Sequence, residues 1–97
     1  MNLGLCKGRH EIAGVTEYVF PQEVDPLDVD GLLAQASSAI HGADFVNLYV
    51  TGLTVALVAV INACAIQQIP LTLWHYDRES GEYYPQSVEV CGNIFVD

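Results

Sequence analysis

Residues 45–76 constrain the fold more than any other stretch of the chain. Phe45-Val46-Asn47-Leu48-Tyr49-Val50 runs into the turn Thr51-Gly52-Leu53-Thr54 and then a helical segment from about Val55 to Gln67. Pro70 and a second β-prone run, Leu71 to Tyr76, follow. Near-continuous apolarity from Phe45 to Val50 is the pattern of a strand covered on both faces. The strand–turn–helix–strand order has the length of a right-handed βαβ unit. The helix is apolar almost all the way round, with Asn62 the main exception, so it should be buried on every side. One small sheet cannot cover such a helix, and a second subunit is expected to do so. Leu48 to Ile66 is also the one stretch with membrane-like apolarity, but a spanning helix needs about 20 mostly apolar residues in a single helix. Thr51, Gly52, Thr54 and Asn62 interrupt it and divide it into a strand end and a helix.

The remaining segments fit around this unit. Met1 to Cys6 is a short, weakly alternating strand, and Lys7-Gly8-Arg9-His10 reads as a loop. Ile12 to Phe20 is rich in strand formers (Val15, Thr16, Tyr18, Val19, Phe20), and Pro21 ends it. Asp25 is placed to cap a helix with Pro26 in its first position, and Asp28 and Asp30 lie near its positive end. Leu27, Leu32, Leu33, Ala36 and Ile40 form its apolar stripe, and His41-Gly42 closes it. Beyond the βαβ unit, residues 77–82 are a polar turn, Tyr83-Tyr84 opens a returning strand, and Ser87 to Val96 alternates as an edge strand. The expectation is a single α/β domain over residues 1–97. It is a small, Rossmann-like, mostly parallel sheet with an antiparallel hairpin edge and helices on both faces. The Ile12 to Phe20 strand could pair at either edge.

Composition narrows the function. Charged residues make up 15% of the chain and hydrophobic ones 52%, against about 25% charged in ordinary domains. That excludes a disordered chain and points to a self-association face. Twelve acidic residues against three basic ones give a net charge of −9. Such a surface repels duplex nucleic acid and anionic membranes, whose phosphates require many lysines and arginines. Cys6, Cys64 and Cys91 are scattered singly, which fits free thiols in a reducing cytoplasm better than a disulfide framework. No basic segment followed by an apolar run marks a secretory leader. His10, His41 and His75 have no cysteine or carboxylate partner at metal-ligand spacing, so no metal and no cofactor are expected.

Chemistry is sought where parallel strands end, because ligands of open α/β sheets collect there. Three loops leave such ends: Lys7-Gly8-Arg9-His10, Thr51-Gly52-Leu53-Thr54 and His75-Tyr76-Asp77-Arg78. They hold every lysine and arginine of the chain, Lys7, Arg9 and Arg78, together with two of its three histidines. An acidic protein that gathers its positive charge in this way is suited to hold an anion there. The Thr51–Thr54 turn adds a helix N-terminus, whose free N–H groups and dipole favour phosphate. Gly52 lets the backbone approach a ligand. The plainer alternative is a tight turn with Thr54 as helix cap. Neither GxxxxGK[ST] nor GxGxxG is present. His10 is either a solvated residue or a proton-transfer group, and His75 a hydrogen-bonded packing residue or a ligand contact. His41 satisfies a helix end. Cys6 is a packed thiol or a nucleophile activated by its cationic neighbours. Asp77 caps the turn or orients His75 or Arg78, and Tyr83 and Tyr84 pack across strands or stack on a base.

Asn47 to Thr54, the apolar helix, and Leu73-Trp74-His75-Tyr76-Asp77 together resemble the second half of CRISPR-associated Rossmann-fold (CARF) domains. Those domains show a strand, a TGGT-like turn, a small-residue helix and a strand ending in a tyrosine- and aspartate-containing segment. The likeness covers roughly residues 45–85, and Leu53 stands where the second glycine of the turn is expected. Size and layout are similar to the small stand-alone ring nucleases of type III CRISPR antiviral systems. The resemblance implies a homodimer binding a cyclic oligoadenylate across its two-fold axis. Ring opening would proceed by attack of a ribose 2′-hydroxyl on the adjacent phosphate, without a metal. Lys7 or Arg9 would stabilise the phosphorane, and His10 would act as acid or base. Gly8, Thr51, Gly52, Leu53, Thr54, His75, Tyr76, Asp77 and Arg78 would contact the ligand. A non-catalytic sponge or sensor, and an oligomeric interaction module without a ligand, are the alternatives.

Overall fold

The computed structural model describes residues 1–8 and 12–89. In chain order the elements are β1 (Asn2–Cys6), β2 (Tyr18–Phe20), α1 (Val29–Ile40), β3 (Val46–Tyr49), α2 (Thr54–Gln67), β4 (Leu71–Asp77) and β5 (Glu82–Val88). They form one five-stranded sheet in the order β2-β1-β3-β4-β5, parallel except for the antiparallel β4–β5 pair. The mostly parallel α/β sheet with a hairpin edge is thus the fold, and the β2 strand takes the edge beside β1.

The helices do not lie on both faces, as the sequence led us to expect. The crossovers β2–α1–β3 and β3–α2–β4 travel in the same direction across the sheet. Right-handed crossovers that travel the same way place their helices on the same side. Accordingly, α1 and α2 pack against each other. They share one core with Leu3 and Leu5 of β1, Val46 and Leu48 of β3, and Leu71 and Leu73 of β4. Ala56, Ala59, Val60, Ala63, Cys64 and Ala65 form the buried side of α2, and the small side chains among them allow close helix approach. The β1–β2 connection travels the opposite way, and handedness directs it over the other face. Its Ile12 and Val15 are buried but lie outside the main core.

The strand alternation records this asymmetry. Val46 and Leu48 are buried, whereas Asn47 and Tyr49 between them are half-buried. Apolarity along β3 therefore reflects two different faces rather than cover on both. The second face carries Gly4, Tyr18, Tyr49, Trp74, Tyr76 and Tyr83, by register across all five strands. Gly4 is required beneath Tyr18, because a Cβ there would fall on the phenol ring.

Several boundaries differ from the sequence reading. Only Tyr18–Phe20 of the Ile12 to Phe20 run is strand, since a turn at Ile12–Val15 bends the chain, with Gly14 at φ +80°. Asp25 does not cap α1. Its carboxylate accepts from the Leu27 N–H, and Asp28 is the cap, accepting from the Gly31 N–H at 3.1 Å. The turn from Asp25 to Asp28 leaves Leu27 outside the helix and 87% exposed, while Leu32, Ala36 and Ile40 are buried. Helix α2 ends at Gln68 in the left-handed conformation (φ 57°). One chain does not bury α2 all round, because Val55, Val58 and Ile66 remain exposed on it. The expected edge strand from Ser87 contributes Ser87 and Val88 to β5, and residues 90–96 lie outside the described residues. Among the described residues, no helix is long and apolar enough to cross a membrane.

Candidate functional site at the β1–β3 switch point

From β1 the chain leaves toward β2, and from β3 it leaves toward β4. The adjacent ends of β1 and β3 therefore mark the point where strand order reverses, which is where open α/β sheets bind ligands. Two of the three loops singled out in the sequence meet there. Thr51, 6% exposed, joins them: its Oγ1 accepts from the Cys6 N–H at 3.0 Å and its hydroxyl donates to the Cys6 carbonyl at 3.0 Å. The Thr51 hydroxyl thus clamps the two strand ends together and is engaged within the protein. Sequence reasoning gave Thr51 to the ligand. A partner 45 residues away on the main chain leaves no local signal in the sequence.

Next to this clamp the backbone is open. Gly52 is exposed at φ +72°, and a Cβ there would meet nothing within 4 Å. That left-handed conformation suits glycine and disfavours other residues. Leu53, not Thr54, is the N-cap of α2 and supplies no side-chain cap, while its side chain packs on the edge of the core. Thr54 is the first helical residue and is exposed. The N–H groups of Thr54, Val55 and Ala56 have no partner within the helix, by the geometry of any helix start. Lys7 and Gly8 are exposed on the β1 side, with the Lys7 N–H donating to the Phe20 carbonyl at 3.1 Å.

The third loop stands beside this point. Gly4, Tyr49 and Trp74 lie at one register level across β1, β3 and β4. Lys7, Gly52 and Arg78 therefore come three, three and four residues beyond that line. Strands β1 and β4 are the two neighbours of β3, so Lys7 and Arg78 leave the sheet on either side of the strand that leads into the Thr51–Gly52 turn. Two of the three cations thus follow strand ends at the same end of the sheet; the third, Arg9, and the histidine His10 lie outside the described residues.

Inside the hairpin loop the side chains serve the fold. Asp77 accepts from the Glu79 and Ser80 N–H groups, and hydrogen bonding from Ser80 and Glu79 holds its carboxyl below the usual range. His75 sits on the helix-bearing face, its Nε2 2.7 Å from Gln86 Oε1 and its ring against Tyr84. Tyr76 lies on the opposite face, against Tyr83. Cys6 is half-buried, and burial pushes the Cys64 thiol up to about 11. Among the described residues, no group of three histidine, cysteine or carboxylate side chains could hold a metal ion. No protein-family model, curated protein or solved structure matches this chain.

Proposed function

We propose that this chain binds a cyclic oligonucleotide, on its CARF-like sequence features a cyclic oligoadenylate, at the β1–β3 switch point of a homodimer. The juxtaposition of Lys7-Gly8 with the Gly52–Thr54 turn at the open start of α2 carries the proposal. Backbone N–H groups at the helix start and the Lys7 ammonium receive phosphate, and Thr51 holds the two loops in register from behind. Arg78 approaches from the hairpin. The exposed Val55, Val58 and Ile66 on α2 give the two subunits an apolar surface on which to meet.

The proposed chemistry is ring opening. A ribose 2′-oxygen forms a bond to the adjacent phosphorus, and the bond from phosphorus to the 5′-oxygen breaks. The 2′-hydroxyl proton passes to a base, and the leaving 5′-oxygen gains a proton from an acid. The products are a linear chain with a 2′,3′-cyclic phosphate and a 5′-hydroxyl. His10 is assigned the proton transfers and Arg9 shares the phosphorane charge with Lys7, both on sequence grounds. Binding without cleavage is the second reading. It is favoured by the small number of acid–base candidates, since the Thr51–Thr54 turn contains no histidine or carboxylate.

Incubation with a panel of cyclic oligonucleotides, followed by chromatography of bound and released species, tests both. Linear products establish cleavage, and intact ligand released on denaturation establishes a binder. Lys7→Ala should weaken retention about tenfold or more, as loss of a charged phosphate contact does. His10→Ala should abolish turnover while leaving retention intact. Neither retention nor turnover across the panel leaves an oligomeric interaction module.

A further inference from the structure

Twelve acidic and three basic side chains give the chain its charge of −9, yet α1 and α2 together carry one charged residue, Asp30 in the first turn of α1. A helix with one side toward water ordinarily sets charged residues on that side. The outer side of α2 presents Val55, Val58 and Ile66 instead, and Ile66 is 64% exposed. Val58, Asn62 and Ile66 follow one another at intervals of four residues, so they form a single ridge along the helix. Asn62, at the centre of that ridge, is half-buried. Among the described residues, nothing hydrogen-bonds its side-chain amide. Covering the ridge with another apolar surface strips water from this amide, which then requires a partner.

Charge and self-complementarity together point to a second copy of the chain. Two molecules at −9 repel each other, so they meet closely only where charged groups are sparse. Helix α2 meets that condition, because none of its 14 residues is charged. Helices that lie on lipid rim their apolar face with lysine or arginine, and α1 and α2 contain neither. A carboxamide both donates and accepts hydrogen bonds. Asn62 set against Asn62 of the partner subunit therefore satisfies both amides, and a two-fold axis brings the matching group without further design. A single asparagine in an apolar helix seam also fixes register, since any slip leaves it facing hydrocarbon. In an antiparallel pair centred on Asn62, the residue four places before the centre meets the one four places after it. Val58 then packs on Ile66 of the partner subunit, and Ile66 packs on the partner's Val58.

We propose that α2 pairs antiparallel with α2 of a second copy about a two-fold axis at Asn62, whose amide sets the register. The inference rests on the homodimer of the nucleotide-binding reading and adds its contact ridge and its register residue. Pairing of this kind needs no nucleotide, so the two readings fail separately.

The purified full chain is sedimented over a concentration series without nucleotide, and twice the mass of one chain is expected. Val58→Lys and Ile66→Glu should each weaken pairing about tenfold or more, because each seats a lone charge in an apolar contact. Combined in one chain they should restore pairing, since the opposite charges then face each other across the axis. Within one helix the two positions lie about 12 Å apart, too far to neutralise each other directly. Restored mass also shows that the altered chains fold. Asn62→Cys should give a disulfide-linked dimer on mild oxidation, above the level that the native cysteines give in the unaltered chain. A single-chain mass at every concentration overturns the proposal. So does a doubled mass that the combined variant fails to restore, or one that Asn62→Cys fails to link, which would put the contact on another face. Failure of cyclic oligonucleotide retention in a chain that passes these tests defeats the switch-point reading and leaves the α2 pair standing.

Discussion

Leu48 and Tyr49 are neighbours on β3, yet they stand on surfaces built for different purposes. Leu48 is fully buried beneath α1 and α2, among aliphatic side chains and alanines. Tyr49 projects to the opposite side, where its ring meets Trp74 and Tyr83. The helix-bearing face holds the fold together by excluding water from aliphatic surface. The aromatic face keeps large rings half-exposed, packed on one another, with Trp74 oriented by its hydrogen bond to Asn47. A half-buried ring contributes packing energy and still offers area to a partner, which an aliphatic core residue cannot do.

Truncating each neighbour in turn separates the two faces most sharply. Leu48→Ala should cost about 3 kcal/mol of unfolding free energy in urea, the usual loss at a well-packed core leucine. Tyr49→Ala should cost about 1–2 kcal/mol, since its ring surrenders only part of a solvent-shared packing. Equal losses would show that the aromatic face is a second core rather than a surface. Next in size is the clamp between strand ends. Thr51→Val keeps the shape but removes both hydrogen bonds from its hydroxyl to the Cys6 main chain, at about 1–3 kcal/mol. Stability to urea measures this loss, and nucleotide retention should fall with it if the switch point holds the ligand.

Alkaline pH offers a milder probe of both faces. Cys64 in the covered helix and Tyr83 on the open face both have raised values, Cys64 from 9.0 to about 11. A raised thiol or phenol favours its neutral form in the folded state, so the stabilisation is complete below the unfolded value. It is lost as pH rises through the folded one. For Cys64 that window runs from pH 9 to about 11. The slope of stability against pH in this window should flatten in Cys64→Ala, and the slope above pH 10.0 should flatten in Tyr83→Phe. An unchanged slope in Cys64→Ala would place the alkaline loss elsewhere. The smallest expected effect lies on the outer side of α2. Val58→Asp should alter the stability of a lone subunit within about 0.5 kcal/mol. Light scattering should nonetheless show a halved mass if α2 joins two copies. An unchanged mass would free α2 from that role.

Much of the fold was legible because local patterns and global needs agree in it. The turn after Tyr49, the small-residue helix and the strand from Leu71 each carry their own signal, and together they fix a βαβ unit. The α1 start was misread because Asp25-Pro26 and Asp28 both present capping chemistry, and only the turn geometry selects Asp28. In the site, Gly52 was legible from backbone freedom alone. The role of Thr51 was not, since its partner is a main chain 45 residues earlier. The aromatic ridge left a faint trace in the alternation of Thr72, Trp74 and Tyr76. Its assembly required the register of β3, β4 and β5.

By itself the sequence determined the element types, the mostly parallel sheet, the acidic balance and the gathering of cations in loops, because these follow from side-chain chemistry and short-range spacing. Tertiary structure decided which face each alternating residue occupies. Two crossovers that travel in the same direction must put both helices on one side, and only strand order reveals their direction. That one fact leaves the other side to tyrosines and tryptophan, and turns an apolar run into two surfaces with different work.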